Sequence, residues 1–485
     1  MATSVPRRLK GRATAVATRT AIMVGLGCAI LYGQVSRDPD PARYAAESLE
    51  HFQTLLRLDT SNPPGNEYLV TDYLKTALEK EGIPVRILAL EQARPNLVAR
   101  LKGSGARRPI LLMGHSDVVT VDEKKWTFPP FGAIRDRGYI YGRGALDDKP
   151  SIAAALMAML TLKRLGVPLE RDVILLVESG EEGTTRVGID YVVNEYFSEI
   201  EAEYCLAEGG GVRRENGAIK YASVGVLEKI PRTIELVARG PSAHGSVPRT
   251  SNALTRLAAA VSAISRWESP IRLNETTREY FTRLAAISSS DEATYLRGLV
   301  SSDRRTQAAA IEYFQERNPV YVAMLRTSVS PTIIQGGQRY NVVPSQATAT
   351  LDVRLLPDED PDQVLATIRQ LVNDPAVEVR LAERDGAPRP VGGTHLDTDA
   401  FRAIENAVKK HYETTLLPTM STGASDKAQV RSKGVHCYGV GPATDVEDGA
   451  KGFAAHSDQE RILESELQRF TRFYWDVVVE LARAK

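Results

Sequence analysis

The stretch Tyr141-Gly142-Arg143-Gly144-Ala145-Leu146-Asp147-Asp148-Lys149-Pro150 constrains this chain more than any other. It is a glycine-punctuated loop with two adjacent carboxylates, and it runs directly into an apolar helical stretch, Ser151–Leu162. Proline near the helix start costs nothing, because first-turn N–H groups have no intrahelical partner. Neighbouring acids repel one another unless a cation or an arginine neutralises them. One carboxylate has two oxygens and can bridge two metal ions about 3.5–4 Å apart, which makes Asp147 the candidate centre of a two-metal site. Taken alone, the pair also reads as a solvated turn in which Asp148 caps the helix.

Comparable loops recur after apolar, strand-like runs. Gly114-His115-Ser116-Asp117 follows Pro109–Met113, and the two-residue period of a strand puts His115 and Asp117 on one face. An imidazole can hold a metal through one nitrogen while a carboxylate fixes the other, although His-x-Asp alone suits a structural role equally well. Glu181-Glu182-Gly183 follows Asp172–Glu178. One of these glutamates can ligate while its neighbour acts as a general base, its pKa raised by partial burial beside other acids. Glu208 follows Tyr204–Ala207 and precedes Gly209-Gly210-Gly211, where three glycines permit close backbone approach. His456 stands ahead of the last helical stretch. Of the seven histidines, His51 and His411 fall in helical stretches as surface or packing residues, and His395 and His436 are given no role. Two histidines with Asp147, Glu182 and Glu208 form a mixed nitrogen and oxygen donor set that suits zinc or a similar divalent ion.

The order of elements predicts an α/β fold. Helical spacing over Ala42–Leu58 and Tyr68–Glu81 is followed by strands at Val85–Leu90, Asn96–Lys102 and Pro109–Met113. Helix and strand then alternate to Ala207, which indicates a mostly parallel sheet. Each polar motif sits just past the carboxyl end of a strand, where open α/β sheets place their sites. After about Ile219 the character changes. Strands at Ile230–Arg239, Gln346–Leu355 and Ala376–Leu381, with helices at Ser251–Arg266 and Pro361–Val372, describe a separate small unit. Its middle, Glu275–Arg326, is helical and polar and reads as an insertion. Gly386–Gly393 resembles a linker, and helix, strand (Gly434–Gly439) and a last helix (Gln459–Ala484) suit a return to the first unit. The resulting divisions are 1–40, 41–221, 222–384 and 385–485.

At 485 residues the chain exceeds one compact core. The 61 basic and 61 acidic residues cancel, so no general attraction to nucleic acid follows. Three cysteines, Cys28, Cys205 and Cys437, give neither a disulfide framework nor a cysteine-based zinc site, and leave a Cys205–Cys437 bridge open. The N-terminus differs in kind: Arg7, Arg8, Lys10, Arg12 and Arg19 precede the apolar run Ala21–Gly33, and no acid appears before Asp38. That is the layout of an export signal, cleaved or kept as an anchor. The run is shorter than the roughly 20 residues that comfortably span a bilayer. Either version predicts an exported protein, periplasmic or secreted or membrane-anchored, with membrane contact only through this segment.

These residues resemble the M20 metallopeptidases, the group of aminoacylases, carboxypeptidases and acetylornithine deacetylases. Within it the likeness is to the carboxypeptidase S and N-acyl-amino-acid hydrolase branch, over about residues 42–485 and with the motifs in family order. The resemblance implies a zinc-exopeptidase-like catalytic domain in two parts (41–221 and 385–485) and an inserted α+β two-layer lid or dimerisation domain (222–384). It implies that His115 and Glu208 hold one metal, Glu182 and His456 the other, and Asp147 bridges them, with a cis peptide after Asp147. Asp117 would orient His115, and Glu181 would be the general base. Gly240-Pro241-Ser242-Ala243-His244-Gly245 resembles the lid motif whose histidine polarises the scissile carbonyl, often across a dimer interface. Asn341 would help hold the oxyanion, Arg354 would take a substrate carboxylate, and Gly423 belongs to a substrate-binding segment. The implied cofactors are two divalent ions, zinc ahead of cobalt or manganese. The implied substrate is a peptide or an N-acyl amino acid, with either a homodimer formed through the lid or a monomer in which the extra segment near 275–326 covers that surface. Thr120, Pro150, Gln459 and the segment Gly423-Ala424-Ser425-Asp426 depart from the family pattern without removing a ligand. A catalytically dead binding protein is the rival from another class, and a dead relative ordinarily loses ligands or the base.

Overall fold

β1 (Val85–Leu88), β2 (Asn96–Leu101), β3 (Ile110–His115), β4 (Val173–Glu178), β5 (Tyr204–Ala207), β6 (Gly211–Glu215) and β7 (Ala218–Glu228) build most of one large sheet. The chain then leaves for a second sheet of β8 (Ile230–Arg239), β9 (Ser328–Gly336), β10 (Gln346–Leu355) and β11 (Val377–Leu381). It returns to the first with β12 (Leu416–Ser421), β13 (His436–Gly439) and β14 (Ala443–Asp445). This computed structural model describes residues 38–247, 249, 251–382 and 392–484. The expected export segment therefore lies outside the described residues except for its last few positions, as does most of the linker at 386–393. Among the described residues no helix is long and apolar enough to cross a membrane.

The large sheet runs β1-β2-β4-β3-β5-β13-β7-β6-β14, with β12 also paired to β7. Its middle, β4-β3-β5-β13, is parallel, and its margins are mixed. β3, β4 and β5 are buried at every position, as a parallel sheet covered on both faces requires. Helix Lys149–Arg164 is buried from Lys149 to Leu162. It is wedged between the sheet and helices Pro41–Arg57 and Glu464–Ala482, which explains why its sequence is apolar on every side. Cys205 and Cys437 face each other on β5 and β13 as free, buried thiols.

The second sheet, β9-β10-β8-β11, is antiparallel throughout. Along β10 every second residue, Ala347 to Leu355, is buried against helices Ala253–Ser265 and Pro361–Val372, giving two layers. Asn252 and Asp360 cap those helices by accepting from their first-turn N–H groups. The passage between the sheets falls at Lys229, whose buried ammonium donates to Ala323 O, Arg326 O and Ser328 Oγ.

Two sequence expectations need correcting. The helical stretch Glu275–Ala323, read as polar, has a core of its own, and Phe281, Leu296 and Phe314 share it with Leu417 and Met420 of β12. The last helix starts at Glu464 rather than Gln459, because Arg461–Leu463 pair as a short strand with Tyr139–Tyr141.

Candidate metal centre

β3, β4 and β5 are adjacent and parallel, so their carboxyl ends meet at one edge of the sheet. His115 is the last residue of β3, the turn after β4 carries Glu181 and Glu182, and Glu208 directly follows β5. The loop bearing Asp147 and the segment bearing His456 close over that edge. Asp147 Oδ1 lies 2.9 Å from His115 Nε2, and Asp147 Oδ2 lies 3.1 Å from His456 Nε2. The same His456 nitrogen is 2.8 Å from Glu182 Oε1. Ligand atoms of His115, Asp147 and Glu182 all fall within 4.8 Å of one another, as do those of His115, Glu181 and Glu208. Asp147 thus turns one oxygen to each histidine, and the peptide that follows it is cis.

The electrostatics are those of an acid cluster in search of cations. Burial alone would lower the His115 imidazole, but its contacts with Asp117 and Asp147 hold its pKa well above the ordinary histidine value. Hydrogen bonding to Asp147 and Glu182 pushes half-exposed His456 up to about 10. Burial, reinforced by the charge of Asp147, pushes Glu208 up to about 8. Burial works against ionised Asp147 too, yet the two imidazoles hold its pKa far below the usual carboxylate range. The raised values of the histidines and Glu208 favour protons on these groups, which divalent ions would have to displace. The donor set, two imidazole nitrogens and several carboxylates around a doubly facing aspartate, fits a pair of zinc-like ions.

A family model described as peptidase family M20/M25/M40 matches residues 111–480. The chain belongs to that family. Among similar proteins is "Probable carboxypeptidase S-like 2" of Dictyostelium discoideum, 29% identical over 344 residues, or 69% of this chain and 64% of that one. Another is human N-fatty-acyl-amino acid synthase/hydrolase PM20D1, 29% identical over 326 residues, or 66% of this chain and 64% of that one. The matches thus span just under two thirds of the length of these curated relatives. The fold of this M20 chain is also that of an M20 family metallo-carboxypeptidase from Sulfolobus solfataricus, with a TM-score of 0.69, 21% identity and coverage of 90% and 99% of the two chains. A dinuclear metal-binding M20 peptidase from Bacillus subtilis aligns at a TM-score of 0.57, with 14% identity and the same coverages.

Around the candidate ligands of this M20 chain lies a supporting layer. Asp117, fully buried, accepts from Gly180 N and Glu181 N at 2.9 and 3.1 Å through Oδ1. Its Oδ2 accepts from Asn62 Nδ2 and Glu182 N at 2.8 and 3.2 Å. His115 Nδ1 makes its hydrogen bond to the Asp117 carbonyl, 3.0 Å away, with the carboxylate at 3.6 Å. The Asp117 side chain thus fixes the loop of Glu181 and Glu182 more directly than it fixes His115. Lys427, fully buried, donates to Glu208 O at 2.6 Å and pairs with Glu228, which also takes Arg431. Glu460 binds the loop that carries Asp147.

Sequence reasoning missed Asn62, Glu228, Lys427 and Glu460. Asn62 lies between two helical stretches with no motif to mark it, and the others are single charged residues whose partners lie far away in the chain. The glycines after Glu208 were legible: a Cβ on Gly210 would sit 2.1 Å from Gly439 O, so only glycine lets β13 approach.

The residues assigned to the second sheet and its surroundings stand apart. His244 and Asn341 are brought together, since Gly245 N donates to Asn341 O at 2.7 Å, but both are exposed and His244 Nδ1 bonds Ser246 Oγ. Arg354 makes a two-pronged bond to Asp352 on its own strand, at 2.8 and 3.1 Å. Gly423 N donates to Ser421 Oγ. Among the described residues no hydrogen bond or ion pair joins any of these four to the five candidate ligands. A cavity of about 510 Å³ opens beside the centre instead, bounded by Asp147 and Glu208 and lined by both apolar (Leu146, Val440) and charged (Arg213, Asp448, Arg461) side chains.

Proposed function

We propose that this protein is a two-metal hydrolase that cleaves an amide or peptide bond next to a free carboxylate, in the manner of a carboxypeptidase. The observation that carries this reading is Asp147, with its two oxygens turned separately to His115 and His456. When bound, two divalent ions, zinc by preference, would polarise the scissile carbonyl and acidify a water. His115 and Glu208 would hold one, Glu182 and His456 the other, and Asp147 both. Glu181 lies within reach of His115 and Glu208, where it could serve a water activated by the ions. It would take the proton as the water attacks and deliver it to the leaving amine, as a general base and then acid. Asp117 holds Glu181 and Glu182 in register. His244, Asn341, Arg354 and Gly423 contribute to carbonyl, oxyanion and carboxylate binding once the second sheet closes on the centre or a second copy supplies them. The edge strand β9, with Ile333 and Ile334 exposed, supports a homodimer formed through that unit. The basic and apolar run before Asp38 supports export.

A second reading, hydrolysis of N-acyl amino acids, is favoured by the likeness to PM20D1. Dipeptides assayed beside N-acyl amino acids separate the two. Glu181→Gln tests both at once. It should lower kcat by at least about 100-fold, within the usual range for loss of a general base, while two metals per chain remain bound. Near-normal turnover would remove Glu181 from its role.

A further inference from the structure

Between the short strand Tyr139–Tyr141 and helix Lys149–Arg164 the chain forms successive turns, and their shape is imposed by one side chain. Glu460 is fully buried. Its Oε2 accepts from Arg143 Nη1 at 2.7 Å and from Gly144 N at 3.1 Å. Its Oε1 accepts from Leu146 N at 2.7 Å and from Asp147 N at 3.3 Å. Its carbonyl accepts from Gly142 N at 3.0 Å. Three converging backbone N–H groups form an anion nest, here filled by a carboxylate of the chain itself. Only three residues separate Glu460 from His456, and His456 Nε2 lies 3.1 Å from Asp147 Oδ2.

We propose that Glu460 is the positioning residue of the metal pair. Its carboxylate holds the Asp147 loop against the His456 segment and so sets the spacing between the bridging ligand and one terminal ligand. The inference rests on the two-metal reading above. It differs from a plain packing role because the nest ends on the amide of Asp147 itself, one residue's reach from the oxygens that would bridge the ions. Metal affinity, beyond fold stability, should therefore follow the state of residue 460.

The test uses the whole chain, stripped of metal and titrated with zinc against a competing chelator, with thermal midpoints recorded with and without zinc. In Glu460→Gln the amide nitrogen must face either Arg143 and Gly144 or Leu146 and Asp147, and both pairs are donors. Zinc affinity should fall about 10–100-fold, as it does when an outer partner of a ligand is lost, and the rise in midpoint on adding zinc should shrink. A role in packing alone would lower both midpoints equally and leave zinc affinity unchanged, which overturns the inference. Glu460→Asp keeps the charge but draws it back by one methylene, and it serves if the glutamine variant does not fold. It too should bind zinc more weakly, and wild-type affinity there overturns the inference. If the unaltered chain fails to bind two zinc ions, the two-metal reading falls and this proposal with it.

Discussion

Asp117→Asn gives the sharpest test of how the centre is held. Each oxygen of this carboxylate accepts two hydrogen bonds: Gly180 N and Glu181 N on one, Asn62 Nδ2 and Glu182 N on the other. An amide has one acceptor oxygen, so whichever way it turns, two buried donors meet an NH2 group. Each buried donor stripped of its partner costs about 1–3 kcal/mol, which gives a loss of roughly 2–6 kcal/mol. Urea melts of metal-free protein measure this directly. Because the disturbed amides belong to Glu181 and Glu182, zinc affinity should fall as well, and the gap between wild type and variant should widen in saturating zinc. Asp117→Ala, which leaves all four donors without the side chain, should be worse than Asp117→Asn. A loss below about 1 kcal/mol, with zinc binding intact, would refute the claim that this carboxylate carries the loop.

Three further outcomes are expected. Glu228 is buried against Lys427 and Arg431, which outweigh burial and pull its pKa to about 2 from 4.5. The pKa is depressed on folding, so its stabilisation is fully present above pH 4.5 and fades as pH falls toward 2, amounting to roughly 3 kcal/mol. Glu228→Gln should therefore be strongly destabilising at pH 7 and progressively less so at pH 4 and pH 3, and urea melts showing a constant gap would contradict this. Zinc affinity should rise with pH between 6 and 8, since Glu208 at about 8 and His456 at about 10 must shed protons to ligate. Each proton released contributes about tenfold per pH unit, and chelator competition at several pH values would expose a flat response. Gly210→Ala places a methyl 2.1 Å from Gly439 O and 2.7 Å from Ser223 O, whereas Gly449→Ala meets nothing within 4 Å. The first should cost about 1–3 kcal/mol or more and weaken zinc binding through Glu208, while the second should match wild type in both melts and titrations.

What could be read from the sequence was what lies close together along the chain. Apolar runs ending in His115, Glu181-Glu182 and Glu208 announced strands with polar ends, because in a parallel sheet the buried strand and its exposed end are contiguous. The alternation of Gln346–Leu355 announced a strand with one buried face, which is how β10 packs. What escaped depends on partners far apart. Glu460 looked like the second residue of a helix, because three residues, Arg461–Leu463, are too few to show a period before they pair with Tyr139–Tyr141. The helices from Glu275 to Ala323 looked polar because their apolar residues are thinly spread, and only when they fold on Leu417 and Met420 do those residues form a core. Asp117 was read as a partner of His115, since that contact is local, whereas its four hydrogen bonds come from residues 62 and 180–182.

The pattern of support explains why so acidic a centre can fold at all. Asp147, Glu181, Glu182 and Glu208 crowd around two imidazoles, and several of these groups are wholly or largely buried. Uncompensated burial of that much like charge would cost more than a fold of ordinary stability can bear. The second layer does not neutralise it. Asp117 and Glu460 are themselves carboxylates, and Asp117 and Glu460 spend their oxygens on the backbone amides of the ligand loops. They fix where the candidate ligands stand; Asp117 adds to the negative charge, while Glu460 is paired with buried Arg143. Lys427 brings a buried positive charge near Glu208, and it is shared with Glu228. Protons on His115, His456 and Glu208, or cations that displace them, would complete the neutralisation. A scaffold that holds these acids in place fits the two-metal centre proposed above, and the pH dependence of zinc affinity measures how far protons compete with the ions for it.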